Sequence, residues 1–134
     1  MNLPRVVIGV LLRSVVIAAV IAAYVAVIAR SESTDALGAG LLAFLILVAM
    51  AFVWAVVDGI RHGLLEALLT WVLTSAVAGV GIPVVLALTD DRDLAAEVSD
   101  GAVFFAVVLV VPAALGLALG GLVHRFRGRP EVTA

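Results

Sequence analysis

The chain has 134 residues, 65% of them hydrophobic and 13% charged, with a mean hydropathy of +1.30 and a formal net charge of −2. So few polar groups cannot cover a water-facing surface, which excludes a soluble globular domain. The lack of cysteine excludes a disulfide framework, a thiolate zinc site, and thiol redox chemistry of the small four-helix quinone-reductase kind.

Four apolar blocks take up nearly all of the chain, at about residues 6–29, 36–57, 64–88 and 102–123. Each approaches the roughly 20 residues that a helix needs to cross a bilayer core. The blocks are apolar all round rather than striped at i, i+3, i+4, as helices that face lipid must be. They predict an all-α integral membrane four-helix bundle forming a single domain. Arg5 before an apolar run resembles the start of a signal peptide. The run is too long for one, Arg13 interrupts it and three more spans follow, so it is expected to stay as the first helix.

In chain order, Asn2 and Pro4 suit the N-cap region and first turn of the first helix. Ser33, Thr34 and Asp35 offer caps for the second, and Asp58-Gly59 and Gly63 break the chain before the third. Pro83, near the end of the third, lacks a donor and clashes with the Gly79 carbonyl; Pro112 does the same to Val108 in the fourth. Both helices are expected to kink or partly unwind there. The acidic stretch 89–100 has room for a short interfacial helix at 91–99, and its acids fail the EF-hand spacing at Ala95. Ser99 or Asp100 then caps the fourth helix, and Gly128, Arg129 and Pro130 end it ahead of a disordered tail.

Arginine fixes the expected orientation. All eight basic residues are arginine, a usage typical of GC-rich bacteria. Arg5, Arg13, Arg61, Arg125, Arg127 and Arg129 share one side of the bundle, whereas Arg30 and Arg92 lie among acids on the other. Both termini are therefore expected in the cytoplasm, in a multi-pass protein of the inner (plasma) membrane.

Arg13 is the one charge well inside an apolar run. It either snorkels to the headgroups or lies in a cytoplasm-facing cavity, paired with Asp58 or Glu66. Arg5, Gly9 and Arg13 share a helical face. Asp58, Arg61, His62 and Glu66 form a polar cluster in the cytoplasmic hairpin, either a solvated turn or, with His124, a proton or metal site. Trp54 and Trp71 are interfacial belt residues unless Trp71 turns inward to form an aromatic cage. Arg13, Trp71, Thr74, Pro83 and Pro112 are the candidates to line a substrate path, with broken helices exposing carbonyls to it. Ser75-x-x-x-Gly79 and Gly116-x-x-x-Gly120 are small-residue faces for helix packing, within the chain or against a second copy.

No carboxylate or lysine sits in the middle of any span, which argues against a proton-coupled exporter of the small multidrug type. No Ser-His-Asp grouping, glycine-rich phosphate loop or cluster of metal ligands is present. Neither enzymatic activity, a cofactor, a metal nor a nucleic-acid partner is expected.

Two segments carry a resemblance. Phe52-Val53-Trp54-Ala55-Val56-Val57-Asp58-Gly59-Ile60-Arg61 with Leu68-Leu69-Thr70-Trp71, and Val111-Pro112-Ala113-Ala114-Leu115-Gly116, resemble small actinobacterial four-transmembrane proteins of the drug/metabolite transporter (DMT) type. The likeness covers the four-helix layout and implies transport without a named substrate. The family's hairpin after the first segment is longer and richer in Asp, Pro and Arg. Here it is reduced to Arg61-His62-Gly63, so anything that hairpin binds is lost. The reading that follows is a small transporter-like protein, acting on small solutes as a homodimer. The competing class is a non-transporting subunit or scaffold held to a larger membrane protein through its glycine faces. The two separate on whether Trp71, Thr74, Arg13 and Pro112 converge on one wet cavity.

Overall fold

A backbone surrounded by hydrocarbon must satisfy its own hydrogen bonds, and the apolar blocks do so as helices. The computed structural model describes residues 3–31 and 35–127; Asn2, Ser33, Thr34, Gly128, Arg129 and Pro130 lie outside them. Four helices follow one another: α1 (Leu3–Arg30), α2 (Ala36–Arg61), α3 (Leu64–Asp90) and α4 (Leu94–Arg127). All four are long and apolar enough to cross a membrane. Only 17–39% of the most apolar window of each is buried inside the bundle. The rest exposes side chains such as Ile8, Leu12, Leu45, Val103 and Leu115. That surface is soluble only in lipid, so the chain is a multi-pass membrane protein.

The helix ends differ from expectation in instructive ways. α2 does not stop at Asp58-Gly59 but runs on to Arg61, ending where His62 turns extended at φ −120°, ψ 161°. Asp58 therefore sits inside a helix, one turn from its end, rather than in a hairpin. Asp35 caps α2 as expected, accepting from the Gly38 N–H at 2.8 Å. α4 begins at Leu94, because Asp93 caps it by accepting from the N–H groups of Ala95 (2.9 Å) and Ala96 (3.2 Å). The acidic stretch thus supplies the first turns of α4 in place of a separate interfacial helix, and Ser99 and Asp100 lie within it. At 34 residues α4 is the longest helix, about 51 Å at 1.5 Å per residue, against a hydrocarbon core of about 30 Å. The α3–α4 turn is made by Asp91 in the left-handed region (φ 52°, ψ 41°), which a short polar side chain tolerates. Both helices stay helical through Pro83 and Pro112 rather than unwinding there.

The chain runs up, down, up, down. His124 near the end of α4 lies against Ile60 at the end of α2, so these helices are parallel. Gly79 of α3 abuts Ala102 and Ala106 of α4, so those two are antiparallel. Both described ends lie at one end of the bundle, with the 62–63 hairpin; the connections at 31–35 and 91–93 lie at the other. α4 packs along both α2 and α3, and α1 packs along α3, whereas α1 and α2 barely touch.

Small residues decide which helices meet. A Cβ on Gly116 or Gly120 would collide with the carbonyl oxygens of Phe52 or Val56, and one on Gly59 would fall 2.8 Å from the Leu117 carbonyl oxygen. Ala51, Ala55 and Gly59 form the matching row on α2, buried and four residues apart. This close approach replaces the hydrophobic drive that lipid-solvated helices lack. Gly79 does the same toward α4, where its Cβ would meet the Ala102 carbonyl oxygen at 2.8 Å. Ser75 is buried in the same region of α3. Of the two partners open to these faces, α4 of the same chain takes Gly79, and α2 takes Gly116 and Gly120. They are therefore not free to hold a second protein.

Candidate substrate cavity around a buried arginine–aspartate pair

α1 carries Arg13 in its first half, where Ser14 is its one polar neighbour and no charged residue stands closer in sequence than Arg5. An α-helical side chain leans toward the helix N-terminus, and the guanidinium folds back over Gly9. A Cβ there would lie 2.6 Å from Arg13 Nη1 and 3.2 Å from Thr70 Cγ2. Glycine at that position makes the room. The guanidinium then reaches α2, where Arg13 Nη2 donates to Asp58 Oδ2 at 2.6 Å. Only 11% of the Arg13 side chain and 5% of the Asp58 side chain are exposed, so the pair is well shielded.

Two tryptophans complete the setting. Trp71 of α3 is 1% exposed, and its Nε1–H donates to the same Asp58 Oδ2 at 2.9 Å. Trp54 lies one turn before Asp58 on α2 and meets Trp71 edge-on, with centroids 6.4 Å apart and planes at 81°. The Arg13 guanidinium carbon sits 5.4 Å from the Trp54 ring and 5.7 Å from the Trp71 ring. Both distances lie within cation–π range. Trp71 has turned inward as an aromatic cage requires, and the cation it faces is the chain's own arginine. His62 Nδ1 stands 3.8 Å from Asp58 Oδ1.

Arg13, Asp58 and His62, but neither tryptophan, border a cavity of about 200 Å³ at the end of the bundle that holds the 62–63 hairpin. Arg5, Arg13, Asp58, His62, Glu66 and Thr70 supply its polar lining. Beyond it, Ile17, Ala51, Ala55, Trp71, Thr74 and Ala78 form a packed layer. Past that layer a larger cavity, about 560 Å³, opens between α1 and α2 in the other half of the bundle.

The residues expected to line a path are thus divided. Arg13 and Trp71 meet at Asp58. Thr74 is fully buried behind them, and its hydroxyl donates to the Thr70 carbonyl at 2.8 Å. Pro83 is buried against Gly101 of α4 and lines neither cavity. Pro112 borders an apolar depression with Phe44, Val48 and Val107, far along the fold from Arg13. Of the five, only Arg13 borders the polar cavity; Trp71 and Thr74 are buried away from it and neither proline reaches it, so the convergence on one wet cavity expected of a transporter is not met. Of the hairpin cluster, Asp58, His62 and Glu66 face the cavity, whereas Arg61 is exposed elsewhere. His124 takes the Ile60 carbonyl, at 3.1 Å from Nδ1, instead of joining His62. Among the described residues no group of three or more His, Cys, Asp or Glu is placed to hold a metal ion.

Trp54 was the least legible member of the site. Its i, i+4 spacing from Asp58 is the signal that puts both on one face of α2, just ahead of His62 at the helix end. Among the described residues, Arg13 Nε, Ser14 Oγ and Ser75 Oγ are buried without a hydrogen-bond partner. No protein-family model, curated protein or solved structure matches the chain.

Proposed function

We propose that this chain is a small transporter-like protein of the inner membrane, and that charged solutes bind at the cavity around Arg13. The observation that carries this reading, in place of the wider convergence, is an ion pair buried between α1 and α2, two helices with little other contact, at the wall of a polar cavity. Ionisable groups within spanning helices are costly and mark solute paths more often than packing needs. The packed layer beyond the cavity separates it from the other half of the bundle, the kind of barrier that alternating access needs. A solute with an anionic group competes with Asp58 for Arg13, and a cationic one competes with Arg13 for Asp58. Either exchange loosens the main polar tie between α1 and α2, so that binding shifts α1 relative to the other three helices. The arginine bias places the cavity's end of the bundle on the cytoplasmic side. The likeness to DMT-type four-transmembrane proteins supports the same reading, since the segment 52–61 that carries it holds both Trp54 and Asp58.

The internal use of Gly79, Gly116 and Gly120 removes the surface on which the subunit reading relied. Solute flux into proteoliposomes tests the proposal, with a panel of cationic, anionic and neutral solutes. Flux of one charged class is expected in the wild type, reduced at least tenfold in Arg13→Ala. No flux for any class, with copurification of one larger membrane protein, would overturn it in favour of a non-transporting subunit.

A further inference from the structure

The cavity in the other half of the bundle has a different chemistry. Its walls are α1 from Ile21 onward and α2 up to Leu47, and its floor includes Ile82 and Phe105 from α3 and α4. Its volume of about 560 Å³ falls within the roughly 300–1,000 Å³ of sites that hold small molecules. Two lining residues carry polar side chains, Tyr24 and Arg92, and both are engaged. The Tyr24 hydroxyl donates to the Ala39 carbonyl at 2.5 Å, and Arg92 Nη1 to Glu97 Oε1 at 2.9 Å. An occupant finds hydrocarbon contacts there and little else.

We infer that this groove holds the acyl chain of a membrane lipid, entering sideways between α1 and α2. The surrounding medium at a lipid-facing gap is itself acyl chain, and apart from Tyr24 and Arg92, the latter at the rim beside Glu97, the lining side chains are apolar. The other apolar occupant, a spanning helix, fits less well, because the groove covers only residues 21–29 of α1 and 39–47 of α2 and ties cross between these helices. Such a helix would have to lie along the whole α1–α2 gap, at an axial distance of about 8–10 Å from each wall. To enter as deeply as the groove it would have to displace both the Arg13–Asp58 pair at one end and the Tyr24–Ala39 bond at the other. A flexible chain passes between these ties without breaking either. The inference does not rest on the solute-site reading, and its test leaves the Arg13 cavity untouched.

Gly40 lines the groove, and a Cβ built on it meets no atom within 4 Å. Gly81 has the same open space but does not line it. The experiment places the protein in liposomes whose phospholipid carries a photoactivatable diazirine on the acyl chain, and maps labelled peptides by mass spectrometry. Labelling concentrated on residues 39–47 and 104–108 is expected, at least fivefold weaker in Gly40→Phe and unchanged in Gly81→Phe. Labelling spread evenly over exposed positions away from the groove, such as Leu12, Val53 and Leu122, or indifferent to Gly40→Phe, would overturn the inference. Two further measurements stand if Gly40→Phe does not fold. Native mass spectrometry of the wild type should show a lipid retained through detergent exchange, and complete loss counts against the groove. In a chain without cysteine, Gly40→Cys should stay monomeric under oxidation; a rapid disulfide dimer would assign the groove to a second copy.

Discussion

Asp58 holds Arg13 and Trp71 at one carboxylate oxygen, so its removal strands two donors at once. Asp58→Ala leaves a guanidinium and an indole N–H without their acceptor in a shielded site. Losing one partner of a buried pair costs about 3–5 kcal/mol in soluble proteins, and Arg13 recovers part of that by snorkelling. A destabilisation of about 2–3 kcal/mol is therefore expected, read by denaturant titration in detergent micelles. Asp58→Asn keeps an acceptor for Trp71 and should cost less. Replacing both charges, Arg13→Leu with Asp58→Leu, should restore stability to within about 1.5 kcal/mol of wild type, because the pair's attraction mainly offsets its own desolvation. If the double variant is as unstable as Asp58→Ala, the pair is a structural staple and the functional reading of its burial loses its basis. The pairing itself was legible, since Arg13 and Asp58 are the deepest opposite charges at one end of the chain. Its enclosure was not. The two tryptophans read equally well as belt residues, and only the rotation of α2 and α3 turned them inward.

At the scale of the helix, the small residues separate into two kinds that the sequence does not distinguish. Gly120 approaches the Val56 backbone so closely that a side chain has no room, whereas Gly40 and Gly81 face open space. Gly120→Ala should destabilise the bundle by about 1–3 kcal/mol, since the obstructing atom is a carbonyl that cannot step aside as a side chain would. Gly81→Ala should be neutral or stabilise by up to about 1 kcal/mol through helix propensity. Thermal unfolding of both variants in one detergent checks the contrast, and equal shifts would mean that the α2–α4 seam carries no special closeness. The GxxxG motif of α4 was readable, but its partner row Ala51, Ala55 and Gly59 was not, because alanine is too common in apolar spans to stand out. Helix existence was legible from hydropathy alone. Helix ends were harder to place, since Asp58-Gly59 carries the composition of a turn while the carboxylate's partners on α1 and α3 hold it within α2.

Across the whole molecule, the polar cavity with Arg13 and the apolar groove below Tyr24 lie at opposite ends of the bundle, so orientation decides which compartment each one serves. Among the described residues five arginines, Arg5, Arg13, Arg61, Arg125 and Arg127, lie toward the end with the polar cavity, and Arg30 and Arg92 toward the end with the groove. Basic residues in short flanking segments stay on the cytoplasmic side during insertion, and acids contribute little. The two arginines on the minority side do not weaken the bias, because the start of α1, the end of α4 and the 62–63 hairpin between them all follow it. The chain lacks cysteine, so single cysteines report their side without background. Gly63→Cys suits the hairpin, since a Cβ there meets nothing within 4 Å, and Ser31→Cys suits the opposite end, where Ser31 is exposed. In intact spheroplasts a membrane-impermeant maleimide should label Ser31→Cys alone, and Gly63→Cys should react only after permeabilisation. The reverse pattern would place the arginine cavity outside the cell and turn the proposed direction of solute access around. Equal labelling of both positions before permeabilisation would mean two orientations in one membrane, a state that a five-to-two arginine asymmetry should forbid.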